Sequence, residues 1–260
     1  MASLYDHPDL YDLPDSENKE KATLAHWKCV LEGKKIHSVL DVSIGTGGLT
    51  LPMTGLGIEL YGSDLSEKML DKCAEKARQK GININLRPSD FRCLTDAFKE
   101  KFDCAASTGN SLAYVSNEDV GRALREMDAL VKDGGYLYFD LRNWDKILKE
   151  KSRFFLYNPI FKGDDRVNLI QVWDYHDDGS MTFNILYTFE KSGKIYRREE
   201  FHEHYFPVRL AYLLSRLKDM HYVNFEIRPL PAQRGEFDID KTDWYCLIAK
   251  KAGDTEESAC

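Results

Sequence analysis

The chain has 260 residues, 43% of them hydrophobic and 30% charged, enough to bury a sizeable core as one elaborated domain or as a core with an insert. A formal net charge of −7 without any long Lys/Arg block disfavours phosphate backbones and anionic lipid surfaces as partners. The opening does not resemble a signal peptide, no apolar run approaches the ~20 residues of a membrane helix, and the six cysteines lack CxxC or zinc-ligand spacing; a cytoplasmic protein with reduced thiols and no metal is expected.

A tyrosine-rich, acidic opening runs from Leu4 to Glu17. The rough helical spacing of Ala22, Ala25, Trp27, Val30 and Leu31 then predicts a helix over Lys19–Leu31, ending at Gly33. The apolar run Ser38–Val42 breaks into Ser43-Ile44-Gly45-Thr46-Gly47-Gly48, which reads as a buried strand, a glycine loop and a following helix. The pattern repeats as strand Ile58–Ser63, helix Ser66–Gln79, strands Ile82–Arg87 and Asp103–Ser107, helix Glu118–Val131 and strand Tyr136–Leu141. Alternation of this kind predicts βαβ units in a sheet covered on both faces.

Between Ser152 and Tyr205 the texture changes to aromatic-rich alternation over Leu169–Tyr175, Met181–Glu190 and Lys194–Tyr205, with turns at Asp177-Asp178-Gly179 and Lys191-Ser192-Gly193. An antiparallel insert is expected there. A helix over Pro207–Met220 and two apolar stretches, Tyr222–Pro229 and Trp244–Lys250, complete the sheet, and the polar tail Ala252–Cys260 is expected to be disordered. The expected organisation is an arm or lid over 1–18, a ligand-binding core over 19–151 and 206–251, and an insert over 152–205 that forms part of an acceptor pocket.

Val39-Leu40-Asp41-Val42-Ser43-Ile44-Gly45-Thr46-Gly47 carries the strongest signal, because small residues let a backbone approach a ligand at the carboxyl end of the first strand. A glycine loop alone also serves as an ordinary turn. Three residues make it specific: Asp64 ends the second strand, where a carboxylate accepts ribose hydroxyls, and Asp90-Phe91 follows the third, offering an acceptor for an exocyclic amine and a face for a purine. A nicotinamide dehydrogenase would need G-x-G-x-x-G, but Gly45 and Gly47 are followed by Thr50 in the third position. Asp41 has no role in that fingerprint and suits a cofactor with a cationic amino-acid end.

With these residues in place, the chain resembles the class I S-adenosylmethionine-dependent methyltransferases. Their first motif is D/E-x-G-x-G-x-G, with Ser43 here at the first glycine, and Gly62-Ser63-Asp64-Leu65-Ser66-Glu67-Lys68-Met69-Leu70 resembles their G-x-D-x-S-x-x-M-L segment. The resemblance runs from about Lys19 to Lys250. It implies a doubly wound α/β fold, a mostly parallel seven-stranded Rossmann-like sheet with an antiparallel insert after the fifth strand. It also implies S-adenosylmethionine as cofactor, with Tyr11, Asp41, Ser43, Gly45, Gly47, Asp64, Leu65, Met69, Asp90, Phe91 and Ser107 around it.

Two further segments resemble glycine N-methyltransferase and related small-molecule enzymes: Gly109-Asn110-Ser111-Leu112-Ala113-Tyr114 (G-N-S-F-A-H in that family) and Asp140-Leu141-Arg142-Asn143-Trp144-Asp145-Lys146-Ile147-Leu148 (D-x-R-N-Y-D-x-I-L). The resemblance implies that Asn110 and Arg142 bind an amino-acid acceptor. Tyr114 and His204 are further acceptor-positioning candidates beside it. Leu112, Tyr114 and Trp144 depart from the pattern. The residues alone leave a second reading, in which Arg142 pairs with Asp140 or Asp145 and Asn110 caps a turn.

Tyr5 and Tyr11 either close over the site, as the N-terminal lids of those families do, or pack on the surface. His202 and His204 share one strand face without a third ligand, which favours ordinary strand surface over a metal. Transfer from a sulfonium to an amine needs alignment more than a strong base, whereas a hydroxyl acceptor would call on His204, Glu203 or a tyrosine. The expected enzyme is a monomer or homodimer acting on a small molecule; a nicotinamide-dependent oxidoreductase and a non-catalytic adenosyl-ligand binder are the rivals.

Overall fold

A computed structural model describes residues 3–253. Of the expected disordered tail, 254–260 lie outside the described residues, while the Ala252 N–H donates to the His221 carbonyl.

Two short helices, Leu4–Asp6 (3-10) and α1 (Pro8–Tyr11), precede α2 (Glu17–Leu31). Then come β1 (Ser38–Asp41), a 3-10 turn (Leu51–Leu56), β2 (Glu59–Asp64), α3 (Glu67–Gln79), β3 (Asn85–Pro88) and α4 (Leu94–Ala97). The core continues with β4 (Phe102–Ser107), α5 (Asn117–Ala129), β5 (Val131–Arg142) and α6 (Trp144–Glu150). The insert holds β6 (Phe154–Leu156), β7 (Ile160–Lys162), β8 (Asp165–Tyr175), β9 (Met181–Lys191) and β10 (Lys194–Tyr205), and α7 (Leu210–Asp219), β11 (Tyr222–Pro229) and β12 (Trp244–Lys251) close the chain.

Seven strands form one sheet in the order β11-β12-β5-β4-β1-β2-β3. Strands β1 to β5 pair in parallel, and β12 runs antiparallel to both β5 and β11. The strand order reverses between β1 and β4, and a doubly wound sheet binds ligands outside the carboxyl ends of its strands at such a point.

The two faces of the sheet are covered by different helices. Leu70, Cys73 and Ala77 of α3 join Trp27 and Val30 of α2 over Val39, Leu60 and Cys104. Val120, Leu124 and Met127 of α5 and Leu213 and Leu217 of α7 pack with Leu40, Ala105 and Phe139 on the opposite face. Side-chain caps start the helices at the site's edge: Ser66 accepts from Met69 N, Ser116 from Asp119 N, and Asn143 from Lys146 N. Among the described residues no helix is long and apolar enough to cross a membrane.

The second sheet is antiparallel in the order β10-β9-β8-β6, with β7 also paired to β8. Val167, Leu169 and Trp173 of β8 and Met181, Phe183, Ile185, Tyr187 and Phe189 of β9 alternate inward to join the α5/α7 side of the core.

The expectations at two places need correcting. No α-helix follows the glycine loop: Gly47, Gly48, Pro52 and Gly55 disfavour continuous helical hydrogen bonding, and the chain takes turns and a 3-10 segment instead. The third strand begins at Asn85 rather than Ile82, because Ile82 N–H closes the end of α3 on the Ala77 carbonyl. The sequence pattern also missed α6 and the short strands β6 and β7, which span only seven, three and three residues.

Gly62 on β2 lies directly under the loop that follows β1. A Cβ there would stand 2.4 Å from Ile44 Cδ1 and 3.0 Å from Leu86 Cδ2. Gly62→Ala is therefore expected to lower stability by about 1–3 kcal/mol through overpacking, read as a lower urea midpoint. An unchanged midpoint would mean that Ile44 moves aside freely.

Candidate active site

The turn from Ser43 to Gly48 is held by its neighbours rather than by regular structure. Asp64, the last residue of β2, accepts from Gly45 N (2.8 Å) and from Ser66 N (2.9 Å), so one carboxylate ties the loop to the start of α3. Gly47 adopts φ 78°, and a Cβ on it would meet Leu51 and Cys73 at 2.7–2.8 Å. The N-terminal arm fastens the loop's far side: Thr46 Oγ1 donates to Asp12 (2.6 Å), and Lys76 reaches both Asp12 and Thr46.

Two fully buried carboxylates, Asp41 and Asp140, end β1 and approach the end of β5. Asp41 accepts from Ser43 N and Thr108 Oγ1, and Asp140 accepts from Gly109 N at 2.6 Å. Burial pushes both carboxyl groups up to about 7. Ser107 is buried in contact with Ser43, 3.4 Å between hydroxyls.

A cavity of about 890 Å³ opens at the carboxyl edge of β1, β2 and β3, within the range of small-molecule sites. Val42, Ser43, Asp64, Leu65, Asp90 and Phe91 line one side; Tyr5, Ser111, Tyr114 and Phe206 line the other. Leu65 is 75% exposed in this setting, an apolar side chain without a protein partner over it. Burial raises the Asp64 carboxyl, whereas the Arg92 guanidinium lowers that of Asp90 by engaging both its oxygens. Arg92 also bonds Asp119 at the start of α5.

The acceptor candidates lie behind an aromatic wall. Tyr5 and Tyr114 hydroxyls are 2.8 Å apart, and Tyr114 also bonds Tyr205 of β10. Tyr11 packs against Tyr5 with ring centres 5.7 Å apart. Burial pushes the Tyr205 phenol up to about 12 and raises those of Tyr5, Tyr11 and Tyr114 as well, so the four phenols stay protonated at neutral pH.

Beyond that wall Arg142 is buried with its guanidinium 4.6 Å from the Trp244 ring centre and 5.3 Å from those of Phe155 and Phe183. One of its nitrogens donates to Tyr157 Oη (3.1 Å) and lies 3.5 Å from Gln171 Oε1. Asn110 takes a left-handed conformation, φ 66°, and its carbonyl oxygen accepts from Arg142 N and Trp144 Nε1.

The pairing that the residues alone left open does not form. Asp145 binds Arg209 and Asp140 caps Gly109, so among the described residues no carboxylate neutralises Arg142. Two site expectations are corrected. Met69 is fully buried at the first turn of α3 and does not line the cavity, because the helical period turns it inward with Leu70 and Cys73. His204 is exposed on the outer face of β10, stacked near His176, because strand alternation turns Glu203 and Tyr205 inward instead. Glu203 is engaged by the arm, accepting from Ser3 Oγ and Leu4 N. Asp41 and Ser107 sit beneath the loop rather than on the cavity surface.

Gln171, Tyr205 and Arg92 were not singled out in the sequence. Gln171 had a readable signal, a buried polar residue within the inward apolar series Leu169, Gln171, Trp173. Tyr205 and Arg92 had none, since their partners are remote in sequence or set by a turn.

Residues 39–135 match the family model of a methyltransferase domain. A glycine/sarcosine N-methyltransferase from Aphanothece halophytica is 32% identical over 217 residues, 82% of this chain and 76% of its own length. The chain belongs to the class I S-adenosylmethionine-dependent methyltransferases. A ubiquinone biosynthesis O-methyltransferase from Coxiella burnetii is 35% identical over 114 residues, 44% of this chain and 45% of that protein. The fold is shared with an S-adenosylmethionine-dependent methyltransferase from Clostridium acetobutylicum ATCC 824, at a TM-score of 0.74 and 21% identity over 94% of this chain and 97% of that one.

The cavity of this methyltransferase suits S-adenosylmethionine in size and chemistry. Asp64 at the end of β2 and Asp90 just after β3 put two carboxylates in its lining, Leu65 and Phe91 add apolar surface, and Asp41 and Asp140 are buried behind the loop.

Asp41 and Asp140 have a consequence for stability. A carboxyl raised by burial favours folding while it is protonated, so its contribution is complete below the unfolded value near 4 and is lost as pH rises through about 7. The ligand-free protein is therefore expected to lose on the order of a few kcal/mol between pH 4 and 8. Asp41→Asn should flatten part of that slope in urea titrations across this range; an unaltered slope would remove Asp41 from the account.

Proposed function

We propose that this methyltransferase N-methylates a small amine-bearing carboxylic acid, with Arg142 receiving the acceptor's carboxylate. The observation that carries this reading is the buried Arg142 guanidinium without a carboxylate partner among the described residues. A buried charge is costly unless paired, and a guanidinium receives a carboxylate through two parallel hydrogen bonds.

In this reading Asp64 holds the ribose hydroxyls, Asp90 and Phe91 the adenine, and the Ser43–Gly47 loop the amino-acid end, with Leu65 beside them, Ser107 beneath the loop and Tyr11 packed against Tyr5 of the cavity wall. Segment 1–18 acts as a lid, 19–151 with 206–251 as the cofactor-binding core, and 152–205 as the acceptor side. S-adenosylmethionine, when bound, supplies a methyl carbon on a positively charged sulfur. Asn110 and Tyr114 stand between the two halves, so their task is to align the acceptor nitrogen and keep water out.

The preference for nitrogen over oxygen has its own support. A hydroxyl acceptor would need a base, and each candidate is otherwise placed: His204 faces outward, Glu203 is bonded to the arm, and burial keeps the tyrosines protonated. An amine loses its proton to water before transfer and needs no such group.

The decisive assay measures S-adenosylhomocysteine release with amino acids, simple amines and phenols. Turnover of amino acids is expected, and turnover of phenols alone would refute the proposal. Arg142→Ala should raise the acceptor KM by about 10–100-fold, the loss of one charge-assisted bidentate contact; an unchanged KM would remove the clamp. Asp64→Ala should weaken S-adenosylhomocysteine binding in calorimetry by about 10-fold or more, and full affinity would take Asp64 off the ribose.

A further inference from the structure

Eight large hydrophobic side chains stand exposed among the described residues, and six belong to the insert: Phe154, Leu156, Tyr157, Phe161, Ile195 and Tyr196. Strand register explains how several of them gather. Phe155 pairs with Gln171 on the inward face, so Phe154 opposite Val172 and Leu156 opposite Ile170 point outward. Ile170 in turn stands opposite Leu186 of β9. An apolar band therefore crosses β6, β8 and β9 on the side of the sheet turned away from the core.

Charge frames this band without biasing it. Three ion pairs, Arg153–Asp174, Arg166–Glu190 and Arg198–Glu200, lie on and beside the same face. Three cations thus meet three anions, in a chain that carries −7 in all. A twofold interface brings a patch against its own copy, so a patch with net charge would repel itself. This one does not, and each Arg and carboxylate has an opposite partner available on an identical face.

Its size is also suitable. Three strands of eleven to twelve residues, with the three-residue β6 and β7 along the edge of β8, offer about 600 Å² of face, at the lower end of the ~600–1,000 Å² per partner of a stable interface. An anionic lipid surface would require an excess of cations, which the face lacks.

We propose that the outer face of the insert sheet is the interface of a homodimer, two copies packing sheet on sheet about a twofold axis. The centre is formed by Phe154, Leu156, Ile170, Val172 and Leu186, and the ion pairs form its rim. The inner face remains directed at Arg142, so the dimer buries one side of the insert without covering the proposed acceptor site.

Sedimentation velocity on the full chain at micromolar concentration tests this directly. The wild-type protein is expected to sediment as a dimer of the 30.0 kDa chain. Phe154→Glu combined with Leu156→Lys, two exposed positions whose exchange leaves the net charge unchanged, should weaken association by about 100-fold or more. Binding of S-adenosylhomocysteine by that variant reports that the core has folded. A wild-type monomer overturns the proposal whatever the variant does, as does a dimer that survives the double substitution.

Discussion

The Thr108–Gly109 turn at the end of β4 is the point on which the site depends. It is held from one side by Asp41 at the end of β1 and from the other by Asp140 near the end of β5. Three adjacent parallel strands are thereby locked together at their carboxyl edge, where the strand order reverses. Burial of both acids works against their ionisation, so part of the fold's stability is traded for acidic groups beneath a site built for a cationic cofactor. A substitution that relieved this strain by removing the acids would also free the turn that orients Asn110.

The same turn connects the two halves of the active site. On one side the Asp64 carboxylate holds the glycine loop against the open cavity. On the other, Asn110 accepts from Arg142 N and Trp144 Nε1, fixing the start of α6 and the base of the Arg142 side chain. Between them stands the wall of Tyr5, Tyr114 and Tyr205, contributed by the arm, the segment after β4 and the insert. Three remote segments must therefore assemble before this wall is complete, which gives the arm a part in shaping the cavity.

How much of this was legible in the sequence follows from the range of the interactions involved. The parallel strands announced themselves because burial on both faces makes them short apolar runs, and the insert because burial on one face makes them alternate. Asp64 and Asp90 could be placed at the cavity for the same reason: one ends and the other follows strands that local pattern places side by side. The failures share the opposite property. His204 reads both as strand surface and as an acceptor-positioning residue in the sequence, because the direction of β10 is set by its pairing with β9, and a one-residue shift would exchange it with Glu203. Met69 fits a family motif at the cofactor's edge, yet the period of α3 carries it into the core.

Arg142 illustrates what local reading leaves undecided. Two acids lie within three residues of it in sequence, Asp140 and Asp145, and proximity made them natural partners. In the fold the strand's alternation gives Asp140 to the Gly109 turn, and the first turn of α6 gives Asp145 to Arg209. The guanidinium is left facing Trp244, Phe155 and Phe183, whose rings attract a cation without neutralising it. Tyr157 and Gln171 supply oxygen acceptors, again without charge. Such an environment tolerates a buried cation and still leaves its charge available, which an ion pair with either neighbouring acid would have consumed. The aromatic composition of the insert is thus part of the site's electrostatics: it holds Arg142 in place without neutralising it.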